Sequence, residues 1–303
     1  MLSNKKQSGL SHFEMKLRLE NKFEENAAKP QLVSSDVVDT GDFVFSKIEP
    51  NGRVGDSGAL LLAKRKTNRK EMYLVKHEYC DCACNEYIYT KLVQAMGYKM
   101  PDAKLFRISP DEKRRYFKTE YILGTRFINI THSSPPFSLI KKMAANWRDY
   151  FSFAALCLMT DESDSTETPL ADDGFIYRVD TTAAFPISNY YLSSAGINIE
   201  INGVIPKDVV KSHLEKWEPN DRVWNFDMFD TNLNRLIETY GDECIEPFLE
   251  PFARIQDISQ EYIDDFLNTL CYFYPDFIGD FFKRYLRELQ RFSCSYSNFK
   301  RER

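Results

Sequence analysis

Between Phe43 and His77 the chain carries three short runs, DFVFSKI, ALLLAKR and EMYLVKH, separated by the turn-rich segments NGRVGDSG and KTNRK. Apolar, β-branched and aromatic residues concentrate in the runs, and Gly, Asn and Asp in the gaps, as in strands joined by tight turns. Three consecutive antiparallel strands follow from this pattern. The segment NEYIYTKLVQAM, Asn85 to Met96, then sets Tyr87, Ile88, Leu92, Val93 and Met96 at helical spacing, with Gly97 at the position of a C′ glycine. AKLFRI and YFKTEYI, linked by SPDEKRR, predict a further pair of strands. Beyond Phe137 the character turns helical. SLIKKMAANWRDYFSFAALCLM is one helix or two with a break near Asn146, and the polar stretch TDESDSTETPLADDG separates it from FIYRVD, a short strand. From Pro206 to Phe292 the sequence predicts several helices, including KDVVKSHLEKW, MFDTNLNRLIETYG, SQEYIDDFLNTLCYFY and PDFIGDFFKRYLRELQRF. No repeat period is present.

The expected class is α+β with two lobes: a small antiparallel sheet carrying one helix, then a mainly helical lobe. Residues 1–42 form an extension with an amphipathic helix over Phe13 to Phe23 and a polar stretch from Glu24 to Asp42. Residues 43–124 form the sheet lobe and 125–303 the helical lobe.

Composition narrows the partners. The 303 residues are 43% hydrophobic and carry a net charge of −5, enough for a sizeable core and without the basic field that recruits nucleic acid. No apolar run reaches the ~20 residues that cross a bilayer, and the charged start lacks the apolar centre of a signal peptide. A cytoplasmic location is expected. Of seven cysteines, Cys157, Cys244, Cys271 and Cys294 lie among apolar residues, in keeping with a reducing compartment. Cys80, Cys82 and Cys84 are too closely spaced for a usual zinc pair and lack a histidine pair elsewhere, so thiols at a turn are the expectation.

Several residues have the character of a phosphate site. The loop Asn51 to Gly58 holds Gly52, Gly55 and Gly58, with Ser57 beside the last; small residues let backbone N–H groups approach phosphates, although an ordinary hairpin turn has the same composition. Alternation along Met72 to Lys76 sends Tyr73 and Val75 to one face and Leu74 and Lys76 to the other. An inward lysine needs a counter-charge, and Glu86 near the start of the next helix can supply it; a solvated strand-end lysine is the other reading.

YLVKH followed by CNEYIYTKLVQAMGYKMPDAKLF resembles the lysine strand, Asn-Glu helix start and Pro-Asp-Ala exit of HipA-like kinases, remote members of the protein-kinase superfamily related to phosphoinositide kinases and secreted bacterial effector kinases. The resemblance runs from Phe43 to about Tyr190 and implies a two-lobed, protein-kinase-like fold. It implies that Lys76 holds the α- and β-phosphates of ATP, that Glu86 orients it, and that the strand around Glu120 and Tyr121 links the lobes and meets the adenine. FSFAALCLMTDESD and GFIYRVDTTAAF match the family's two aspartate motifs, 19 residues apart: Asp161 would align the acceptor hydroxyl and Asp180 would bind Mg²⁺ or Mn²⁺. The family's metal-binding asparagine, about five residues after the catalytic aspartate, is missing. No asparagine occurs between Asn146 and Asn189, so Asp164, Thr166 or Glu167 substitutes, or the metal site is reduced, or the domain is a pseudokinase that docks nucleotide or protein.

The resemblance therefore implies an ATP-dependent kinase of protein Ser/Thr hydroxyls, and for a secreted effector a host cytosol as its place of action. An inositol-type lipid or small alcohol is the other acceptor class. The basic clusters Lys64-Arg65-Lys66, Arg69-Lys70 and Lys113-Arg114-Arg115 are either solvated turns or a seat for an anionic activator such as an inositol phosphate.

Overall fold

A computed structural model describes residues 34–48, 60–76, 80–109, 121–160, 162, 167–185, 224–226, 229–231, 233–270 and parts of 279–294. The three runs between Phe43 and His77 are strands β2 (Phe43–Lys47), β3 (Leu60–Arg65) and β4 (Met72–Lys76), paired antiparallel in succession. Helix α1 (Cys80–Ala95) follows, then β5 (Ala103–Arg107) and β6 (Tyr121–Arg126), also antiparallel. With β1 (Val37–Asp39) they make a six-stranded sheet in the order β1-β5-β6-β4-β3-β2.

Two expectations need correction here. Val37–Asp39 lies in the polar stretch read as an appendage, yet it pairs parallel with β5, Val37 opposite Leu105 and Val38 opposite Phe106. The pairing lets the two valines pack on opposite faces of the sheet, Val37 against the core that includes α1 and Val38 against the sheet's other core. The Cys80 to Cys84 segment is the first turn of α1 and not a turn between elements, and Cys84 is buried as an apolar side chain would be.

At the other end of α1 the expectation of a C′ glycine is met in detail. Gly97 has φ +84, its N–H bonds Gln94 O at 2.9 Å, and Tyr98 N–H bonds Val93 O at 3.2 Å. These two bonds define a Schellman motif, and Val93 and Tyr98 are both buried against it.

The chain then makes β7 (Ile130–His132), α2 (Phe137–Met143) and α3 (Asp149–Thr160), so the break expected near Asn146 is present. Asn146 uses both ends of its amide there: Nδ2 donates to Asp149 Oδ2 and Ile176 O, and Oδ1 accepts from Ile176 N–H at 2.8 Å. Beyond β8 (Leu170–Ala171), the FIYRVD segment is not a continuous strand; it makes isolated bridges, Leu170 to Ile176 and Glu167 to Val179.

The helical lobe continues with β9 (Trp224–Phe226), β10 (Phe229–Thr231), α4 (Leu233–Tyr240), α5 (Ile245–Arg254) and α6 (Gln260–Leu270). Helix α5 forms despite two prolines. Pro247 sits in its first turn, where no intrahelical N–H bond is lost, and the helix buries Phe248 and Phe252 beside α3, with Ser152 Oγ donating to Pro247 O at 2.8 Å. The expected helices over Phe13–Phe23 and Lys207–Trp217 lie outside the described residues. No helix among the described residues is long and apolar enough to cross a membrane.

The sheet separates two cores. One face holds Phe43, Leu61, Ala63, Tyr73, Val75, Phe106 and Ile122, with Phe106 in edge contact with Phe43 at 4.9 Å and with Tyr73 at 5.5 Å. The other face gives Ala103, Leu105 and Leu123 to the larger core, which runs through α1 into α3, α5 and α6.

Candidate functional site

Residues opposite each other in a ladder share a face, which locates Lys76 without reference to its side chain. Position 76 pairs with Leu60, and Leu74 with both Leu62 and Thr125. Thr125 pairs with Ala103, so positions 74 and 76 stand on the face that α1 covers. That cover is partial. Over β5 and β6 the face is closed by α1, whereas over β2 to β4 Leu60, Leu62 and Leu74 are half-buried and Val44 is 57% exposed. The uncovered half presents Leu60, Leu62, Leu74 and Val44, with Ser46 and Lys64 on the same face, and carries position 76.

Glu86 lies one turn into the buried part of α1 and is only 4% exposed. Its neighbour Asn85 reaches across to the helical lobe, Nδ2 donating to Thr182 O at 3.2 Å. Thr182 follows Asp180 by two residues. The start of α1 and the Asp180 loop are therefore held together by a direct bond.

Asp180 is exposed and adopts φ +55. A left-handed backbone is uncommon outside glycine, with aspartate among the more tolerant residues. Phe185, at φ +48, is less tolerant still. Its ring packs edge-on against Phe282 and Tyr285 at 5.6 and 5.5 Å, and its N–H bonds Thr160 O at 2.7 Å. Packing and hydrogen bonding thus hold the left-handed backbone at Phe185 in place.

Arg178 and Glu162, whose side chains are both fully buried, join the two aspartate motifs. Arg178 Nη2 is 3.6 Å from Glu162 Oε2, and Nη1 donates to Val179 O at 2.9 Å and Glu167 O at 3.3 Å. Burial acts against the guanidinium charge, but Cys157, Tyr89 and Glu162 outweigh it and hold the Arg178 pKa above its ordinary value. Burial likewise raises the Tyr89 pKa well above normal. Tyr89 lies three residues beyond Glu86 on α1, so this node touches all three carriers of candidate residues: α1, the segment after α3, and the 178–182 loop.

Of the residues expected to act, Gly52, Gly55, Ser57, Gly58, Glu120, Asp161 and Asp164 lie outside the described residues. Tyr121 is the first residue of β6, and β6 continues through Gly124 to Arg126, past the expected lobe boundary. Among the described residues no group of three or more His, Cys, Asp or Glu side chains is placed to hold a metal. A magnesium site that draws most of its oxygens from phosphates and water needs only one or two carboxylates, and Asp180 is exposed.

Part of the basic hairpin is engaged internally. Arg65 pairs with Glu71 at 2.9 Å, and Lys66 Nζ donates to Gly41 O at 2.5 Å. Sequence reasoning overlooked Asn85, Glu162 and Arg178 as site-building residues; for Arg178 the signal was a lone charge inside the apolar run FIYRV.

Comparison with solved structures finds the Helicobacter pylori proinflammatory kinase CtkA at a TM-score of 0.54 and 12% identity, over 86% of this chain and 97% of that one. No protein-family model matches the chain. No curated protein matches it either. The fold is kinase-like: an α+β arrangement of a curled six-stranded sheet lobe and a helical lobe.

Proposed function

We propose that this chain is an ATP-dependent phosphotransferase that acts on protein Ser/Thr hydroxyls, within the HipA-like branch its motifs resemble. The observation that supports it most is the bond from Asn85 to Thr182, which joins the helix of Glu86 to the loop of Asp180 beside a half-open sheet face carrying position 76. In a kinase-like fold the adenine would lie against Leu60, Leu62 and Leu74, its polar edge toward the backbone near Glu120 and Tyr121. The Gly52–Gly58 loop would cover the phosphates and Lys76 would neutralise them. Asp180, with Asp164, would hold Mg²⁺, which when bound offsets charge on the phosphates. Asp161 would accept the hydrogen bond of the acceptor hydroxyl and align it, since phosphoryl transfer depends on positioning and electrostatics more than on covalent help.

One observation favours a second reading. The absence of an asparagine between Asn146 and Asn189 would leave the metal without that neutral oxygen ligand, which favours a pseudokinase that binds nucleotide without transfer. Purified chain incubated with γ-labelled ATP, Mg²⁺ and a generic protein substrate separates the two. Label on protein supports transfer, saturable binding without label supports the pseudokinase, and no binding of Mg-ATP at all refutes both.

A further inference from the structure

Asp180 stands where the backbone is fixed on both sides. Before it, Val179 uses both of its backbone polar groups: the N–H bonds Glu167 O at 3.3 Å, and the carbonyl accepts from Arg178 Nη1 at 2.9 Å. After it, Thr181 is fully buried, Thr181 O accepts from Ala184 N–H at 3.2 Å, and Phe185 N–H bonds Thr160 O at 2.7 Å. These contacts stay within the helical lobe. The bond from Asn85 Nδ2 to Thr182 O at 3.2 Å does not, because it ties the loop to α1 in the sheet lobe. Planar peptides leave few soft dihedrals between the Asp180 Cα and the Thr182 carbonyl, so the aspartate follows the helix.

Stability alone does not call for this asparagine. It is 3% exposed, and its Oδ1 has no hydrogen-bond partner among the described residues. One neutral hydrogen bond set against one buried acceptor left unmet adds little to the folded state.

We infer that Asn85 is a positioning residue that makes the placement of the Asp180 carboxylate depend on α1, the helix in which the buried Glu86 comes next. The inference rests on the kinase reading above, in which Asp180 holds the metal and Glu86 orients Lys76. Asn85 acts through the Thr182 carbonyl and is itself enclosed, away from the reactants.

The test is Asn85→Leu, similar in size and without the amide donor. It is compared with wild type for melting temperature, metal-free ATP affinity and the gain in ATP affinity that Mg²⁺ brings, with kcat added where wild type transfers phosphate. A positioning role predicts a folded protein with normal metal-free affinity, in which the Mg²⁺-dependent gain and kcat each fall about 5- to 10-fold, the worth of one buried hydrogen bond. A merely structural role moves the melting temperature alone. A folded variant with the wild-type Mg²⁺-dependent gain overturns the inference whatever its melting temperature. An equal fall in metal-free affinity, which marks general damage to the cleft, overturns it as well. Should Asn85→Leu not fold, Asn85→Ala carries the same comparison with the same outcomes. A wild type that binds no ATP, or binds it no better with Mg²⁺, removes the kinase reading itself, whereas a clear wild-type gain retained in the variant removes the positioning role alone.

Discussion

Asp36 joins the first strand to α1 and β5 through a single carboxylate, and replacing it with asparagine isolates that charge. Oδ2 accepts from Tyr87 OH at 2.8 Å and lies 2.6 Å from Lys91 Nζ; Oδ1 lies 2.8 Å from Lys104 Nζ. Side-chain exposure is 16% for Asp36, 11% for Lys91 and 19% for Lys104, so the cluster is mostly enclosed with a path to water. Asparagine keeps the shape and an acceptor for Tyr87 but leaves two ammonium groups near each other, with Asp102, 3.8 Å from Lys104, as the remaining carboxylate. Two charge-assisted bonds at ~1.5 kcal/mol each, reduced for partial solvation, give a loss of about 2 kcal/mol. With an unfolding entropy of ~2 cal/mol/K per residue, that lowers the melting temperature by about 3 °C for a chain of this size.

The pH dependence fixes the sign. Burial alone would raise the Asp36 pKa, but hydrogen bonds from Lys104 and Lys91, the Lys91 charge and the Tyr87 hydroxyl reverse this and hold it below its ordinary value. A carboxylate with a depressed folded pKa contributes stability that is complete above its unfolded pKa of ~3.9 and is lost as pH falls through the folded value. Thermal melts of Asp36→Asn and wild type should therefore differ fully at pH 7 and converge below about pH 4. Equal melting temperatures at pH 7, or a gap that widens on acidification, would refute the reasoning.

Two glycines give further tests by thermal or denaturant melts. A Cβ at Gly124 would overlap the Phe106 ring and come within 3.2 Å of Val75 Cγ2, so Gly124→Ala should destabilise by about 1–3 kcal/mol through overpacking; an unchanged midpoint contradicts the packing described. At Gly97, φ +84 and an Arg254 Nη1 only 3.1 Å from the added Cβ predict a loss of about 1–2 kcal/mol for Gly97→Ala; Gly97→Asn should cost less than Gly97→Ala because asparagine tolerates left-handed backbone better.

Period and punctuation made the sheet lobe legible. Strands β2 to β4 alternate cleanly and are bounded by turn residues, and Gly97 and Asn146 mark a helix end and a helix break where expected. Three features lay outside such local rules. Val37–Asp39 is too short and polar nearby to read as a strand, and only parallel pairing with β5, 68 positions away from Val37 to Leu105, makes it one. Helix α5 contains two prolines and is held by tertiary burial of Phe248 and Phe252. Glu162 and Arg178 meet only when residues 16 positions apart are folded together. The lysine strand and the Glu86 helix were visible in the sequence as types at spacings and the Asp180 motif through its resemblance to HipA-like kinases, while Asn85 carried no signal beyond its place beside Glu86.

A crystal structure of the chain with Mg²⁺ and a non-hydrolysable ATP analogue tests the central claim most directly. The account predicts adenine against Leu60, Leu62 and Leu74, the Lys76 ammonium on the α- and β-phosphates, and an Asp180 carboxylate oxygen on the metal at ~2.1 Å. Nucleotide bound elsewhere, or Lys76 and Asp180 facing away from a common groove with saturating analogue present, would contradict it.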